Sequence, residues 1–143
     1  MASEIDLTRF IKAHSADFDT ALQEIRAGRK RTHWMWYIFP QIAGLGTSPN
    51  ATFFAIKDQA EAAAFLRDDY LGGHLRTITE ALLALPTDSA YRVFGTPDDV
   101  KLRSSMTLFA LVAEQDSVFH KVLGKYFGGV PDKKTLTILR AEW

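Results

Sequence analysis

Hydrophobic residues recur every three to four positions along most of the chain, which is the spacing that places them on one face of an α-helix. The most regular stretches predict helices at about residues 59–67, 70–84, 97–112 and 116–127. Further helices are expected from Asp6 to Ser15, from Ser15 to Gly28, in the segment that ends before Pro40, and after Asp132. The pattern therefore predicts an all-α protein, in which residues 1–143 form a single compact domain of seven or eight helices.

Several helix boundaries follow from residues that stabilise helix ends. Asp58 and Glu61 have the spacing of a capping box, so a helix is expected to begin there. Thr96 and Pro97 are expected to be the cap and the first residue of the helix that follows them. Residues 41–50 contain two glycines and a proline, and we expect them to form a loop.

An aromatic segment, residues 33–41, has the sequence His-Trp-Met-Trp-Tyr-Ile-Phe-Pro-Gln. Its hydrophobic pattern fits a strand and a helix equally well, and the helical surroundings favour a helix that ends before Pro40. Trp34 and Trp36 could stack against a flat ligand, while Arg31, His33 and Gln41 supply polar contacts. The alternative is that these rings only fill the hydrophobic core.

A second candidate segment is the start of the predicted helix 97–112. Lys101, Ser104 and Ser105 share one face of this helix by their spacing. The two serines could bond carbonyl groups one turn earlier in their own helix. The other interpretation is that all three residues edge a cleft and bind an anion or a ribose. No catalytic residue is assigned from either segment.

A basic cluster of Arg26, Arg29, Lys30 and Arg31 precedes the aromatic segment. Cations at this position stabilise the end of a helix because they complement its dipole. The same cluster could also attract a phosphate group, and the two roles are compatible.

The composition excludes several classes of chemistry. The 143 residues include no cysteine, which removes disulfides, zinc–thiolate sites and thiol nucleophiles. The four histidines lack the spacing of metal ligands, and His120 is expected to pair with Asp116 on the surface. We therefore predict no metal and no cofactor. The 17 basic and 17 acidic residues balance, so a long nucleic acid is not an expected partner.

A membrane or export role is also not expected. The uncharged stretch from Thr32 to Ile56 is interrupted by prolines and glycines before it could span a bilayer. The acidic N-terminus lacks the basic and apolar regions of a signal peptide. These features predict a cytoplasmic protein.

Three stretches together resemble a bacterial family known as a domain of unknown function and numbered 1810. They are residues 33–41, residues 54–56 with Glu61-Ala62, and residues 101–109, and the resemblance extends over nearly the whole chain. It implies a mainly helical cytoplasmic protein and no established activity. The order of the helices and the late Asp132 before a terminal helix also give a much weaker similarity to the NADAR proteins, which are associated with ADP-ribose and N-glycosidic chemistry. The Glu-bearing aromatic motif of that family has no clear counterpart here.

These observations lead to a functional prediction with one alternative. We expect a nucleotide- or ADP-ribose-like small molecule to bind in a cleft between the aromatic segment and the Lys101 helix face, with hydrolysis as a possible activity. Trp34 or Trp36 would then form the base of the cleft, and Lys101 or Arg31 would lie near the phosphate. The alternative is a non-catalytic module that binds an unknown protein partner through exposed aromatic side chains.

Overall fold

The computed structural model describes residues 5–143, of which 65% are helical and none form a strand. Residues 1–4 of the N-terminus, on which the expected lack of a signal peptide partly depends, lie outside the described residues. The described helices are α1 (Thr8–Arg26), α2 (Met35–Ile38), α3 (Pro49–Phe53), α4 (Gln59–Arg67), α5 (Asp69–Ala84), α6 (Ala90–Phe94), α7 (Asp98–Val112), α8 (Val118–Phe127) and α9 (Lys133–Leu139). The predicted all-α fold is confirmed.

The helices α4, α5, α7 and α8 lie within about two residues of their predicted positions, and their ends follow local chemistry. The Asp58 side chain accepts a hydrogen bond from the Glu61 amide at the start of α4. Asp132 likewise accepts from the Thr135 amide at the start of α9, as its position after Pro131 predicts. The aromatic segment forms the short helix α2, which ends before Pro40 as expected.

The described residues form nine helices rather than seven or eight, because one expected pair is fused into a single helix while two further helices are present. The two helices expected before Gly28 are one continuous helix, α1, in which the Ser15 hydroxyl donates to the Lys12 carbonyl instead of capping a new start. Two short helices, α3 and α6, were not predicted, because four or five residues carry too little periodicity to be recognised. Ser48 and Ser89 cap these two helices.

Two further predictions about local contacts are wrong. Thr96 does not cap α7, because Pro97 takes the cap position and the helix begins at Asp98. His120 does not pair with Asp116: its Nδ1 atom lies 2.7 Å from the Ser117 hydroxyl oxygen, within a capping box that begins α8. Asp116 has a positive φ of 55°, so it lies in the turn just before that cap.

Side chains from most of the helices pack together in one hydrophobic core. Helix α1 packs against α5, and α7 packs against α4, α6, α8 and α9. Residues 104–110 of α7 are all buried, which explains why this helix lacks a clear polar face. Within the described residues, no helix is both long enough and apolar enough to cross a membrane.

Candidate functional site

The two segments singled out from the sequence meet at Trp36 and Lys101. The Lys101 ammonium nitrogen lies 5.7 Å from the centre of the Trp36 ring, a cation–π distance. Beside Trp36 is a cavity of about 10 Å³, which the Gln41 and Gly46 residues also line. A cavity of that size holds about one water molecule. The two segments therefore contact each other, but the cavity beside Trp36 is far too small to hold a nucleotide.

Trp34 lies in the core rather than in an open cleft. Its side chain is 1% exposed and packs against the rings of Phe39 and Phe94. Its indole Nε1 donates to the Glu24 carboxylate over 3.0 Å, so its polar atom is satisfied inside the protein. Trp34 is therefore a core residue, which is the alternative that the sequence left open for the rings of the aromatic segment.

Ser104 and Ser105 are also buried. The Ser104 hydroxyl donates to the Val100 carbonyl over 3.3 Å, as the one-turn spacing of a helical serine allows. The Ser105 hydroxyl is fully buried and has no hydrogen-bond partner among the described residues. Neither serine lies at the edge of an open cleft, because the surrounding helices cover this face of α7.

Asp98 joins the basic cluster to the start of α7. Its carboxylate lies 3.0 Å from the Lys30 ammonium and 3.7 Å from that of Lys101. Lys30 also donates to the Thr32 carbonyl over 2.6 Å and lies 5.0 Å from the Trp34 ring centre. The Lys30 ammonium is therefore neutralised and held in place, so it is not a free cation for a ligand.

A larger, open groove of about 930 Å³ shares no lining residue with the small cavity at Trp36. We call it the basic groove; residues 27–30, 87–89 and 91–95 line it. One wall is the turn that follows α1 and the other is α6 with its flanking residues. The Lys30 amide donates to the Val93 carbonyl over 2.7 Å and ties the two walls together. The volume lies within the range of small-molecule sites.

The lining of the basic groove includes three cations and one exposed aromatic ring. Arg29 and Arg92 are exposed, and neither guanidinium has an ion-pair or hydrogen-bond partner among the described residues. Tyr91 is 66% exposed. Asp88 is the one carboxylate that lines the described groove. The groove thus offers two free guanidinium groups and a flat aromatic face to solvent.

A second, open cavity of about 460 Å³ shares Arg29 and Lys30 with the lining of the basic groove. We call it the arginine cavity, because Arg29, Lys30 and Arg31 line it. Arg31 is exposed, and its guanidinium has no partner among the described residues. That the basic cluster attracts a phosphate group stays a prediction. His33, by contrast, is exposed but lines neither cavity, and its carbonyl accepts from the Tyr37 hydroxyl over 3.2 Å.

Glu24 fixes the chain that carries Arg31. Its carboxylate accepts from the amides of Arg31 and Thr32, over 2.7 and 2.9 Å, and also from the Thr32 hydroxyl. Burial alone would raise the pKa of Glu24, but these hydrogen bonds and that of Trp34 outweigh it and lower the pKa to about 2. The carboxylate is therefore ionised at neutral pH and orders the loop between α1 and α2.

The sequence alone did not reveal Tyr91, Arg92 and Asp88 as candidate site residues. They belong to a stretch without a recognisable motif, about 60 residues after the basic cluster that they face. The available signal was the basic cluster itself, because four cations near one helix end exceed what the helix dipole requires. Sequence spacing could not show which distant residues complete the site.

The chain is similar in sequence to a protein family and in structure to a solved protein. A family model described as "Protein of unknown function (DUF1810)" matches residues 4–139. The crystal structure of the conserved hypothetical protein Rv1873 from Mycobacterium tuberculosis is 43% identical in sequence and has a TM-score of 0.92, covering 96% of this chain and 98% of that chain. No curated protein matches the sequence.

These matches confirm the resemblance to the family numbered 1810, whereas the weaker similarity to NADAR proteins is not shown. The family match covers both the aromatic segment and the Lys101 helix face, as well as both walls of the basic groove. By this match over nearly its whole length, the chain belongs to the DUF1810 family of proteins of unknown function.

Proposed function

We propose that the protein binds a nucleotide-like or ADP-ribose-like small molecule, and that the basic groove is its binding site. The class of ligand is the one expected from the sequence. Its proposed binding site is the basic groove and not the expected cleft between the aromatic segment and the Lys101 helix face. A cavity of about 930 Å³ has room for a nucleotide, and the cavity of about 10 Å³ beside Trp36 does not.

The observation that carries the proposal is the pair of unpartnered guanidinium groups of Arg29 and Arg92 in this groove. Guanidinium groups bind phosphate through two parallel charge-assisted hydrogen bonds. Lys30 also lines the groove, but it is already paired with Asp98. A phosphate would therefore meet the two arginines without first displacing an internal partner.

Tyr91 supplies the second group that such a ligand requires. Because its ring is 66% exposed beside Arg92, a nucleobase can stack on it while the phosphate contacts the arginine. Stacking on an aromatic side chain contributes about 1–3 kcal/mol per base. Thr87 and Ser89, in the same lining, offer hydroxyl groups to a ribose.

The lining supports binding rather than hydrolysis. Hydrolysis of a glycosidic bond usually requires two carboxyl groups, one on each side of the bond. The described groove contains one, that of Asp88. We therefore limit the proposal to binding.

The alternative function, a protein-interaction module, rests on exposed aromatic side chains. In the aromatic segment, Trp34, Tyr37 and Phe39 are each less than 10% exposed, so this segment offers no broad apolar surface. The more exposed rings, such as Phe53 and Trp143, belong to other parts of the chain. The free cations and the volume of the basic groove favour a small anionic ligand over this alternative.

Calorimetric titration with AMP tests the proposal. We expect binding to the wild-type protein, weakened at least about tenfold by Arg92→Gln, because a hydrogen bond to a charged group contributes about 1.5–3 kcal/mol. Tyr91→Ala should weaken binding roughly tenfold through the loss of stacking. Arg67→Gln is the matched control, since Arg67 is an exposed arginine of α4 outside the groove.

Two outcomes would contradict the proposal. One is the absence of binding below millimolar AMP to the folded wild-type protein. The other is an equal loss of affinity in the Arg67→Gln and Arg92→Gln variants, which would indicate a general effect of charge rather than a site.

A further inference from the structure

We infer that the basic groove and the arginine cavity form one bipartite site for a ligand whose two moieties are joined by a diphosphate. This inference rests on the proposed function and specifies its ligand. The two cavities, of about 930 and 460 Å³, share Arg29 and Lys30 in their walls. A ligand longer than a mononucleotide can therefore extend from one into the other.

Arg29 is the cation available at the junction. It lines both cavities, is exposed, and has no partner among the described residues. The other shared residue, Lys30, is bound to Asp98 and to the Thr32 carbonyl. The point of highest ligand charge should therefore lie at Arg29, which places the diphosphate at the middle of the ligand and not at its end.

The two sides of the junction differ in chemistry. The basic groove contains the exposed Tyr91 ring together with Arg92, so it fits the nucleoside. The arginine cavity is lined by Arg29, Lys30 and Arg31 alone, without an aromatic side chain. It therefore fits a polar moiety with many oxygen atoms, such as a sugar, which guanidinium N–H groups can hydrogen-bond. The ligand class is a nucleoside diphosphate sugar.

The site is built before a ligand arrives. The Glu24 carboxylate holds the backbone amides of Arg31 and Thr32, and the Lys30 amide is bonded to the Val93 carbonyl across the groove. Both cavities therefore keep their relative position, which reduces the ordering that binding would otherwise require. Because Glu24 contacts the Arg31 backbone, the Arg31 side chain can be replaced without removing this support.

The test compares AMP with ADP-ribose, used as a nucleoside diphosphate sugar, by calorimetry. We expect the wild-type protein to bind ADP-ribose at least about tenfold more tightly than AMP, because Arg31 adds charge-assisted contacts to the second moiety, which AMP lacks. Arg31→Gln should remove most of this difference and leave the AMP affinity within about twofold of wild type. Arg92→Gln should weaken both ligands, and Arg67→Gln neither.

The outcomes separate this inference from the proposed function. Equal affinities for AMP and ADP-ribose, with no selective effect of Arg31→Gln, would overturn the bipartite site and leave the nucleotide site standing. A selective loss of ADP-ribose binding in Arg31→Gln supports it. Failure of both ligands to bind would overturn the inference together with the proposed function.

Discussion

The imidazole rings of His14 and His74 join α1 to α5 through a hydrogen bond between their Nδ1 atoms, which are 3.1 Å apart. The ring planes differ by 2° and the ring centres lie 5.3 Å apart, so the two nitrogens face each other. Nε2 of His14 lies 2.7 Å from the Tyr37 carbonyl oxygen, which can only accept a hydrogen bond. His14 therefore carries its proton on Nε2, and its Nδ1 accepts from Nδ1–H of His74.

This arrangement holds His14 neutral. A second proton on His14 would place its Nδ1–H against the Nδ1–H of His74, in a site where His14 is 1% exposed. Burial lowers the pKa of His14 to about 4, in spite of the hydrogen bond to Tyr37, and burial also lowers the pKa of His74. In the unfolded chain both side chains take up a proton near pH 6.5.

We predict that stability declines as the pH falls from about 6.5 to about 4. In that range the unfolded chain binds more protons than the folded protein, so acid favours unfolding. His14 alone accounts for roughly 3 kcal/mol of this loss, because each unit of pKa difference corresponds to about 1.4 kcal/mol. The measurement is the free energy of unfolding by urea at a series of pH values.

The matched control for this prediction is His33→Gln, because His33 is exposed and its ring takes no part in the pair. That variant should keep the acid sensitivity of the wild type, whereas His14→Gln should lose much of it. A wild-type unfolding free energy that stays constant from pH 7 to about pH 4.5 would contradict the assigned proton arrangement.

A second prediction concerns two adjacent glycines of α5 that occupy opposite environments. A Cβ atom at Gly72 would lie 2.0 Å from the Leu66 carbonyl oxygen of α4, and a Cβ at Gly73 would meet nothing within 4 Å. Gly72→Ala should therefore cost at least about 1–3 kcal/mol, because backbone atoms must move. Gly73→Ala should stabilise by about 0.5–1 kcal/mol, because alanine favours a helix.

Chemical denaturation of the two glycine variants measures this difference directly, and each serves as the control for the other. Equal effects in both variants would show that α4 and α5 do not approach closely at Leu66. The approach is close because Asp68 ends α4 and also caps α5, which leaves only one residue for the turn.

A third prediction separates the two tryptophans of the aromatic segment. Trp34→Ala should destabilise by about 3–5 kcal/mol, because it removes a fully buried ring and also a hydrogen bond to Glu24. Trp36 is only half-buried, so Trp36→Ala should cost clearly less. Urea denaturation measures both losses of stability.

The same two tryptophan variants test where a ligand binds. If the basic groove is the site, Trp36→Ala should leave AMP affinity unchanged, since Trp36 does not line that groove. A selective loss of AMP binding in Trp36→Ala would instead return the site to the cleft between Trp36 and Lys101. Greater destabilisation by Trp36→Ala than by Trp34→Ala would contradict their observed burial.

The sequence by itself was sufficient to locate the long helices, because the interactions that form them are local. Helices α4, α5 and α8 lie close to their predicted ranges since hydrophobic periodicity and side-chain caps act within one or two turns. The same rules misplaced a boundary at Ser15. There, Phe10, His14, Phe18 and Ile25 form one unbroken buried stripe, and packing against α5 outweighs a local cap signal.

Only the tertiary structure decided which polar and aromatic residues face an open site. Trp34 and Trp36 are two positions apart and look alike in the sequence, yet the first is buried in the core and the second is partly exposed. Arg29 and Arg92 are brought together by the bond between the Lys30 amide and the Val93 carbonyl. Periodicity reports the environment within a few residues, whereas a groove between distant segments depends on how whole helices pack.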